Sequence, residues 1–74
     1  MKLIELLGEK LKEWPTGFNY ITQDKTGHIY ASVAKPSISD GIWLAKRDSQ
    51  KVGHAELCLD WDKSIIIKDD FTAQ

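Results

Sequence analysis

The sequence predicts an α+β fold, in which an N-terminal amphipathic helix packs on a small, mainly antiparallel sheet of three to four strands. Two observations support this prediction. Apolar residues recur at helical spacing at the start of the chain. Two segments rich in aromatic and β-branched residues follow, and a short turn sequence separates them, as in a β-hairpin. A helix with one apolar stripe must bury that stripe, and one face of a small sheet is a suitable partner.

The 74 residues are expected to form one small domain, residues 1–74, close to the lower size limit for a single hydrophobic core. Hydrophobic residues make up 42% of the chain and charged residues 28%, which is typical of a globular protein rather than a disordered one. The seven aromatic residues other than histidine (three Trp, two Tyr and two Phe) supply enough apolar area for a core.

The first element is a helix predicted over residues 2–13. Pro15 ends it, because a proline pushes the preceding residue out of helical dihedral angles. Lysine and glutamate residues occupy the other side of the helical wheel. The apolar stripe consists of Leu3, Ile4, Leu7, Leu11 and Trp14.

Two strands are predicted next, over residues 18–23 and 28–33, and the sequence DKTG connects them. This sequence suits a three-residue loop in which Gly27 is left-handed. The loop fixes the register of the hairpin and places Asp24 opposite His28. The further predicted pairs are Gln23 with Ile29, Thr22 with Tyr30, Ile21 with Ala31, and Tyr20 with Ser32.

This register gives the hairpin two unlike faces. One face is aliphatic, and we expect the helix to cover it; it carries Ile21, Ile29, Ala31 and Val33. The opposite face is aromatic and half-polar, so it needs another cover: the segment 54–62, a second copy of the chain, or a target. That face carries Phe18, Tyr20, Thr22, His28 and Tyr30.

The remaining elements are predicted to be short. Residues 54–62 are ambiguous, because their pattern fits both an extended segment and one helical turn. The other segments are a loop over 35–41, a strand over 42–45, an exposed polar turn over 46–53, a buried strand over 65–68, and a terminal turn over 69–74 that places Phe71 on the core.

The charges argue against double-stranded DNA as a partner. The formal net charge is −1, from 10 basic and 11 acidic residues, and DNA-binding proteins need a basic stripe for phosphate contacts. No stretch approaches the ~20 apolar residues of a membrane span, and no targeting segment is recognisable. Cys58 is the single cysteine, so an internal disulfide is excluded and a cytoplasmic location is expected.

Catalytic and metal-binding signatures are absent from the sequence, so we expect no enzyme activity, no cofactor and no metal ion. The nearest nucleophile–base pair is Cys58 with His54, which meet only if residues 54–62 are helical. Cys58 beside two leucines is more typical of a small buried apolar residue. Asp60 and Asp62 open like a calcium loop, but Lys63 and the isoleucines after it replace the later ligands.

The aromatic residues are the best candidates for partner binding, because Tyr and Trp give rigid contact area with a polar tip. The alternative is that they form an ordinary core. The candidate partner-binding residues are Phe18, Tyr20, His28, Tyr30, Trp43 and Trp61.

Two stretches, EWPTGFNYITQDKTGHIYA and LCLDWDKSIIIKDDF, resemble a pattern in small accessory proteins of tailed phages and prophages of enteric bacteria. The pattern is a short helix, a Trp-Pro-x-Gly turn, a strand ending in Gln-Asp-x-x-Gly, and an acidic-Trp pair before an aliphatic triplet. The resemblance covers both ends of the chain and carries over no catalytic or ligand residue. The matches are Trp14, Pro15, Gly17, Gln23, Asp24, Gly27, Asp60, Trp61 and the isoleucines at 65, 66 and 67.

The resemblance implies a non-enzymatic protein of the host cytoplasm that binds and blocks a bacterial host protein, as an inhibitor of antibacterial defence. The alternative is a homo-oligomeric sponge for a nucleotide-like signalling molecule. In such a sponge aromatic residues would stack on the base, and Lys25, Lys35, Lys46 or Arg47 would meet the phosphates. A third alternative is a structural or regulatory module without a ligand.

Overall fold

A four-stranded antiparallel sheet and one helix form the main body of the protein, as the sequence predicts. The computed structural model describes residues 1–45 and 48–71. The strand order of the main sheet is β5-β2-β1-β6, and β3 and β4 form a separate two-stranded sheet. The elements are α1 (Leu3–Lys10), β1 (Tyr20–Gln23), β2 (His28–Ser32), β3 (Ser37–Ser39), β4 (Ile42–Leu44), β5 (Ser49–His54), β6 (Ile66–Ile67) and a 3-10 turn (Lys68–Asp70).

The helix α1 is shorter than predicted at its C-terminal end. The amide of Leu11 still donates to the carbonyl oxygen of Leu7 at 2.9 Å, but Leu11 itself is extended, with φ −106° and ψ 128°. The last apolar residues of the predicted stripe, Leu11 and Trp14, therefore pack against the core from outside the helix. At the other end, Asp60 accepts a hydrogen bond from the amide of Leu3 at 2.8 Å. A carboxylate there stabilises the helix dipole by about 0.3–1 kcal/mol.

The β1–β2 hairpin has the register that its turn sequence predicts, with Gln23 opposite Ile29 and Tyr20 opposite Ser32. Gly27 has φ +90°, and its amide donates to the carbonyl oxygen of Asp24 at 3.0 Å. A Cβ atom at this position would also collide with the backbone carbonyl oxygen of Ala55. Glycine is thus required both by the turn and by a close backbone approach.

The helix covers the aliphatic face of the hairpin, which confirms the predicted position of the core for Ile21, Ile29 and Ala31. Val33 follows β2, is half-buried and does not join this core, so its predicted place there is wrong. Full burial of each Leu or Ile side chain contributes roughly 1.5–3 kcal/mol, as an upper estimate. The buried hydrophobic residues are Leu3, Leu6, Leu7, Ile21, Ile29, Ala31, Cys58 and Ile66.

One polar side chain, Gln23, lies fully buried on this core face. Its Nε2 donates to the carbonyl oxygen of Glu56 at 2.9 Å, and its Oε1 accepts from the amide of Cys58 at 2.9 Å. These bonds hold residues 55–58 against the core face of the sheet in a non-helical conformation. The helical alternative is therefore wrong for residues 54–58, where His54 is exposed and Cys58 is buried. Residues 59–62 form turns, in which the amide of Ser64 donates to the carbonyl oxygen of Asp60 at 2.9 Å.

The segment predicted as a loop over 35–41 contains a strand, β3, so that prediction is wrong. The predicted third strand forms as β4, but it pairs with β3 rather than with the main sheet. Asp40 and Gly41 join them with φ angles of +51° and +79°. Positive φ at both central residues is the requirement of a two-residue type I′ turn, for which Asp-Gly is a preferred sequence.

The segment predicted as an exposed turn over 46–53 is also different, because most of it forms the edge strand β5. Residues 46 and 47 lie outside the described part of the chain. The strand pairs with β2, with an irregularity between Ile29 and Tyr30. Polar residues and Lys51 suit an exposed edge, since they discourage pairing with other chains.

The C-terminal strand β6 is shorter than the predicted strand over 65–68. It lies at the other edge of the sheet, where Ile66 is buried and Ile67 is exposed. Phe71 packs on the core as predicted, with its ring centroid 5.6 Å from that of Trp14. Residues 72–74 of the predicted terminal turn lie outside the described part of the chain.

Candidate functional site

The side of the main sheet opposite the helix carries polar and aromatic side chains. The hairpin register places Tyr20 beside Ser32 and Thr22 beside Tyr30 on this side. By the same alternation His28 also belongs to it. We call this surface the polar-aromatic face, formed by Tyr20, Thr22, His28, Tyr30 and Ser32.

The β3–β4 hairpin covers part of the polar-aromatic face. The segment 54–62, one of the three predicted covers, does not cover this face, because residues 55–58 pack against the core side instead. A cavity of about 260 Å³ remains between the sheet and this hairpin. We call it the sheet–hairpin cavity; it is lined by Thr22, Asp24, Tyr30, Ser32, Pro36, Ile42, Trp43, Ala45 and Ser49.

Two contacts hold the covering hairpin in place. The indole Nε1 of Trp43 donates to the carbonyl oxygen of Trp61 at 3.0 Å. At the turn, the amide of Lys25 donates to the carbonyl oxygen of Gly41 at 3.1 Å. A Cβ atom at Gly41 would press on the Lys25 side chain. The β1–β2 loop and the β3–β4 turn therefore meet at the Asp24 end of the cavity.

Ser32 is the most unusual group in the cavity. Its side chain is 3% exposed, and its hydroxyl oxygen has no hydrogen-bond partner within residues 1–45 and 48–71. Leaving a buried polar group unsatisfied costs about 1–3 kcal/mol. Such a cost in a small domain is a reason to look for a function of this serine.

Asp24 supplies a carboxylate at the loop end of the cavity. Its Oδ1 accepts hydrogen bonds from the amide and hydroxyl of Thr26, at 2.9 and 2.6 Å, and from the amide of His28 at 3.1 Å. Burial by itself would raise the pKa of Asp24, but these hydrogen bonds and the nearby His28 together lower the pKa below its usual value. Asp24 is therefore ionised at neutral pH.

Two histidines lie side by side next to this loop. The ring centroids of His28 and His54 are 4.8 Å apart across β2 and β5. A hydrogen bond of 2.6 Å joins the Thr26 hydroxyl to Nδ1 of His28, and Nε2 of His54 lies 2.9 Å from the carbonyl oxygen of Thr26. Within the described ranges, no three His, Cys, Asp or Glu side chains are arranged to hold a metal ion.

The structure brings together four of the six predicted partner-binding residues. Tyr20, His28 and Tyr30 lie half-buried on the polar-aromatic face, and Trp43 lies over it. Trp61 reaches this group through its backbone carbonyl oxygen.

Phe18 precedes β1 and packs against the apolar core, so it does not join the other aromatic residues. Its carbonyl oxygen accepts a hydrogen bond from the indole of Trp14 at 2.7 Å.

Sequence analysis missed Asp24 and Ser32 as site residues, along with the hairpin that encloses them. A signal for the hairpin was present, because Asp40-Gly41 lies between short apolar segments, which is typical of a two-residue turn. Ser32 could have been placed by its alternation with Tyr30. The lack of a hydrogen-bond partner for its hydroxyl could not have been predicted from the sequence, because it depends on long-range packing.

Cys58 is not arranged for nucleophilic chemistry with His54. Burial raises the pKa of the Cys58 thiol, and the negative charges of Asp60 and Glu56 raise it further, against a smaller opposing effect of the N-terminal ammonium group. The thiol is therefore protonated at neutral pH, and the thiolate is the reactive form.

No helix within the described residues is long and apolar enough to cross a membrane. No protein-family model, no curated protein and no solved structure matches this chain.

Proposed function

We propose that this protein acts by binding, without catalysis, and that it blocks a bacterial host protein as a phage or prophage inhibitor of antibacterial defence. The contact surface is the polar-aromatic face together with the exposed side chains of the β3–β4 hairpin. The observation that carries this proposal is the exposure of the hairpin's aliphatic residues beside half-buried Tyr30 and Trp43. Ile38, Ile42 and Leu44 are 39%, 48% and 54% exposed.

The composition of this surface supports a protein partner. Large aromatic side chains with polar tips are enriched at protein interfaces, and exposed aliphatic residues beside them gain from being buried. Within residues 1–45 and 48–71, both strands of the small β3–β4 sheet also have an unpaired edge. Such edges offer backbone hydrogen bonds to an extended segment of a partner.

The test is native mass spectrometry of the tagged chain isolated gently from a bacterial lysate. We expect a stoichiometric host protein with the unaltered chain, and its loss with the double variant Tyr20→Ala plus Tyr30→Ala. The double variant should stay folded, because both tyrosines lie on the face opposite the main core. Leu59→Ser is the matched control. Leu59 is 82% exposed, and it lies beside Met1, because the amide of Leu59 donates to the carbonyl oxygen of Met1.

Retention of the partner by a folded double variant would contradict the proposed surface. Unfolding of the double variant would reassign the two tyrosines to the core. In that case Ile42→Ser plus Leu44→Ser tests the hairpin half of the surface alone.

The second candidate function is a homo-oligomeric sponge for a nucleotide-like signalling molecule, and the sheet–hairpin cavity favours it. Among the residues expected to meet phosphates, Lys25 lies against the turn at one end of this cavity. Lys35 borders a separate depression beside Tyr20, and Lys46 and Arg47 lie outside the described residues. In the same mass measurement, an oligomer carrying a few hundred extra daltons supports the sponge. A bare monomer contradicts it.

A further inference from the structure

We propose that the sheet–hairpin cavity binds a nucleoside unit, consisting of a planar heterocycle with an amino group and a hydroxyl-bearing sugar. The heterocycle lies between Tyr30 and Trp43 with its amino group on Asp24, and a sugar hydroxyl reaches Ser32. The proposal deepens the second candidate function by naming the chemistry of the ligand and the groups that recognise it. It shares with that function the class of ligand but not the need for an oligomer, because the residues that line the cavity all come from one copy of the chain.

The size and walls of the cavity set the first condition on the ligand. Its volume of about 260 Å³ lies just below the ~300–1,000 Å³ of pockets that hold drug-sized molecules, so the ligand is smaller than those. Tyr30 comes from the sheet and Trp43 from the covering hairpin. Two aromatic side chains from opposite sides favour a flat ring between them, because every base has a face that can stack.

The length of the cavity sets the second condition. Asp24 lies at the loop end, where its amide donates to the carbonyl oxygen of His28. Ser32 lies four residues beyond His28 along β2. At about 3.3 Å per residue, the backbones of His28 and Ser32, which mark the two ends of the cavity, are roughly 13 Å apart. A single ring is too short to contact both ends, whereas a base with its sugar has the required length.

The charge of the cavity sets the third condition. Asp24 is ionised, and its Oδ1 already accepts three hydrogen bonds, which leaves Oδ2 for a donor from the ligand. None of the described residues that line the cavity is basic. An amino group on the ring satisfies the carboxylate. A phosphate group would be repelled by this carboxylate, so the proposed ligand inside the cavity is the uncharged nucleoside unit.

The buried hydroxyl of Ser32 sets the fourth condition. It both donates and accepts hydrogen bonds, and it has no partner within the described residues. The hydroxyl oxygen has less than 1 Å² of exposed surface, so a ligand hydroxyl reaches it only when the Ser32 side chain rotates toward the cavity. A hydroxyl on the ligand meets either requirement. The neighbouring Ser49, opposite Ser32 on β5, adds a second hydroxyl at the same end of the cavity.

The experiment is a titration of the purified full chain with adenosine, and in parallel with cytidine, followed by NMR shifts of the backbone amides. Two truncated ligands separate the two contacts: purine riboside lacks the amino group of adenosine, and 9-methyladenine lacks its sugar. Two variants remove the matching protein groups. Asp24→Asn keeps an oxygen for the turn but removes the charge, and Ser32→Ala removes only the hydroxyl.

We expect saturable shifts around the cavity with at least one nucleoside. Loss of the amino group should weaken binding about tenfold in the unaltered chain, because a charge-assisted hydrogen bond to Asp24 is lost. The same change should weaken binding little in Asp24→Asn, because that variant has already lost this hydrogen bond. Loss of the sugar should weaken binding several-fold in the unaltered chain and little in Ser32→Ala. The control variants Asp62→Asn and Ser37→Ala, outside the cavity, should bind like the unaltered chain.

The absence of saturable binding for both nucleosides overturns the proposal. Equal affinity of the unaltered chain for adenosine and purine riboside overturns the role of Asp24, even if the Asp24→Asn variant fails to fold. Shifts confined to residues outside the cavity overturn the location. None of these results bears on the host-protein proposal, which is decided by capture of a protein partner.

Discussion

Ser32 is the residue where stability and function are expected to oppose each other. Its buried hydroxyl lacks a partner in the described residues, so Ser32→Ala should raise the free energy of unfolding by about 1 kcal/mol. Urea unfolding followed by tryptophan fluorescence measures this change. The control Ser37→Ala, on the exposed strand β3, should stay within about 0.5 kcal/mol of the unaltered chain. A loss of stability in Ser32→Ala would mean that the hydroxyl is hydrogen-bonded.

Asp24 links the stability of the hairpin loop to pH. Its pKa is lower in the folded chain than in the unfolded one, so its contribution is complete above the unfolded pKa of about 4 and is lost as pH falls through the folded pKa. Asp24→Asn should therefore be less stable than the unaltered chain at pH 7. This difference should shrink below about pH 4. Denaturant unfolding at several pH values checks it, and a difference independent of pH would contradict it.

Gly27 shows how two separate demands can fall on one residue. Both Gly17 and Gly27 have φ near +90°, but a Cβ atom meets nothing within 4 Å at Gly17 and collides with Ala55 at Gly27. Gly17→Ala should cost about 1–2 kcal/mol, the penalty of a left-handed conformation. Gly27→Ala should cost clearly more. Equal losses in denaturant unfolding would show that the collision is relieved by a small backbone shift.

At the level of elements, the parts predicted correctly are those governed by neighbours in sequence. The β1–β2 register follows from one turn sequence, because loop length and Gly27 together fix which residues face each other. The apolar stripe of α1 identified the face that it covers. Its end was predicted too late, because Leu11 and Trp14 keep helical spacing while packing from an extended segment.

The elements predicted wrongly depend on long-range contacts. Residues 55–58 take their conformation from hydrogen bonds to Gln23, which lies on another element. The strand β5 is polar and becomes a strand because β2 offers a free edge. The β3–β4 hairpin is the exception, since its Asp-Gly turn is a local signal. The candidate site was therefore predicted only in part: its aromatic residues, but not the hairpin, the carboxylate and the buried hydroxyl that give it chemical character.

At the scale of the whole molecule, a single hydrophobic core lies on one side of the sheet and a smaller, polar cavity lies on the other. The core contains few residues, so the free energy of unfolding is expected to be modest. The cover on the cavity side comes from within the same chain. The β3–β4 hairpin therefore shields part of this face without a second copy of the chain or a target. Binding of a second copy or of a target remains a proposal, and it concerns the part of the face that is still exposed.

The pairing of β2 with β5 has a consequence for how the β3–β4 hairpin is held over the sheet. These two strands pair from His28 with His54 to Ser32 with Ser49, so their pairing closes the chain between them, which carries the β3–β4 hairpin, into one loop. The entropy lost on closing a loop grows only with the logarithm of its length. Five paired positions of β2 and β5 thus restrain the intervening chain at a small entropic cost per residue.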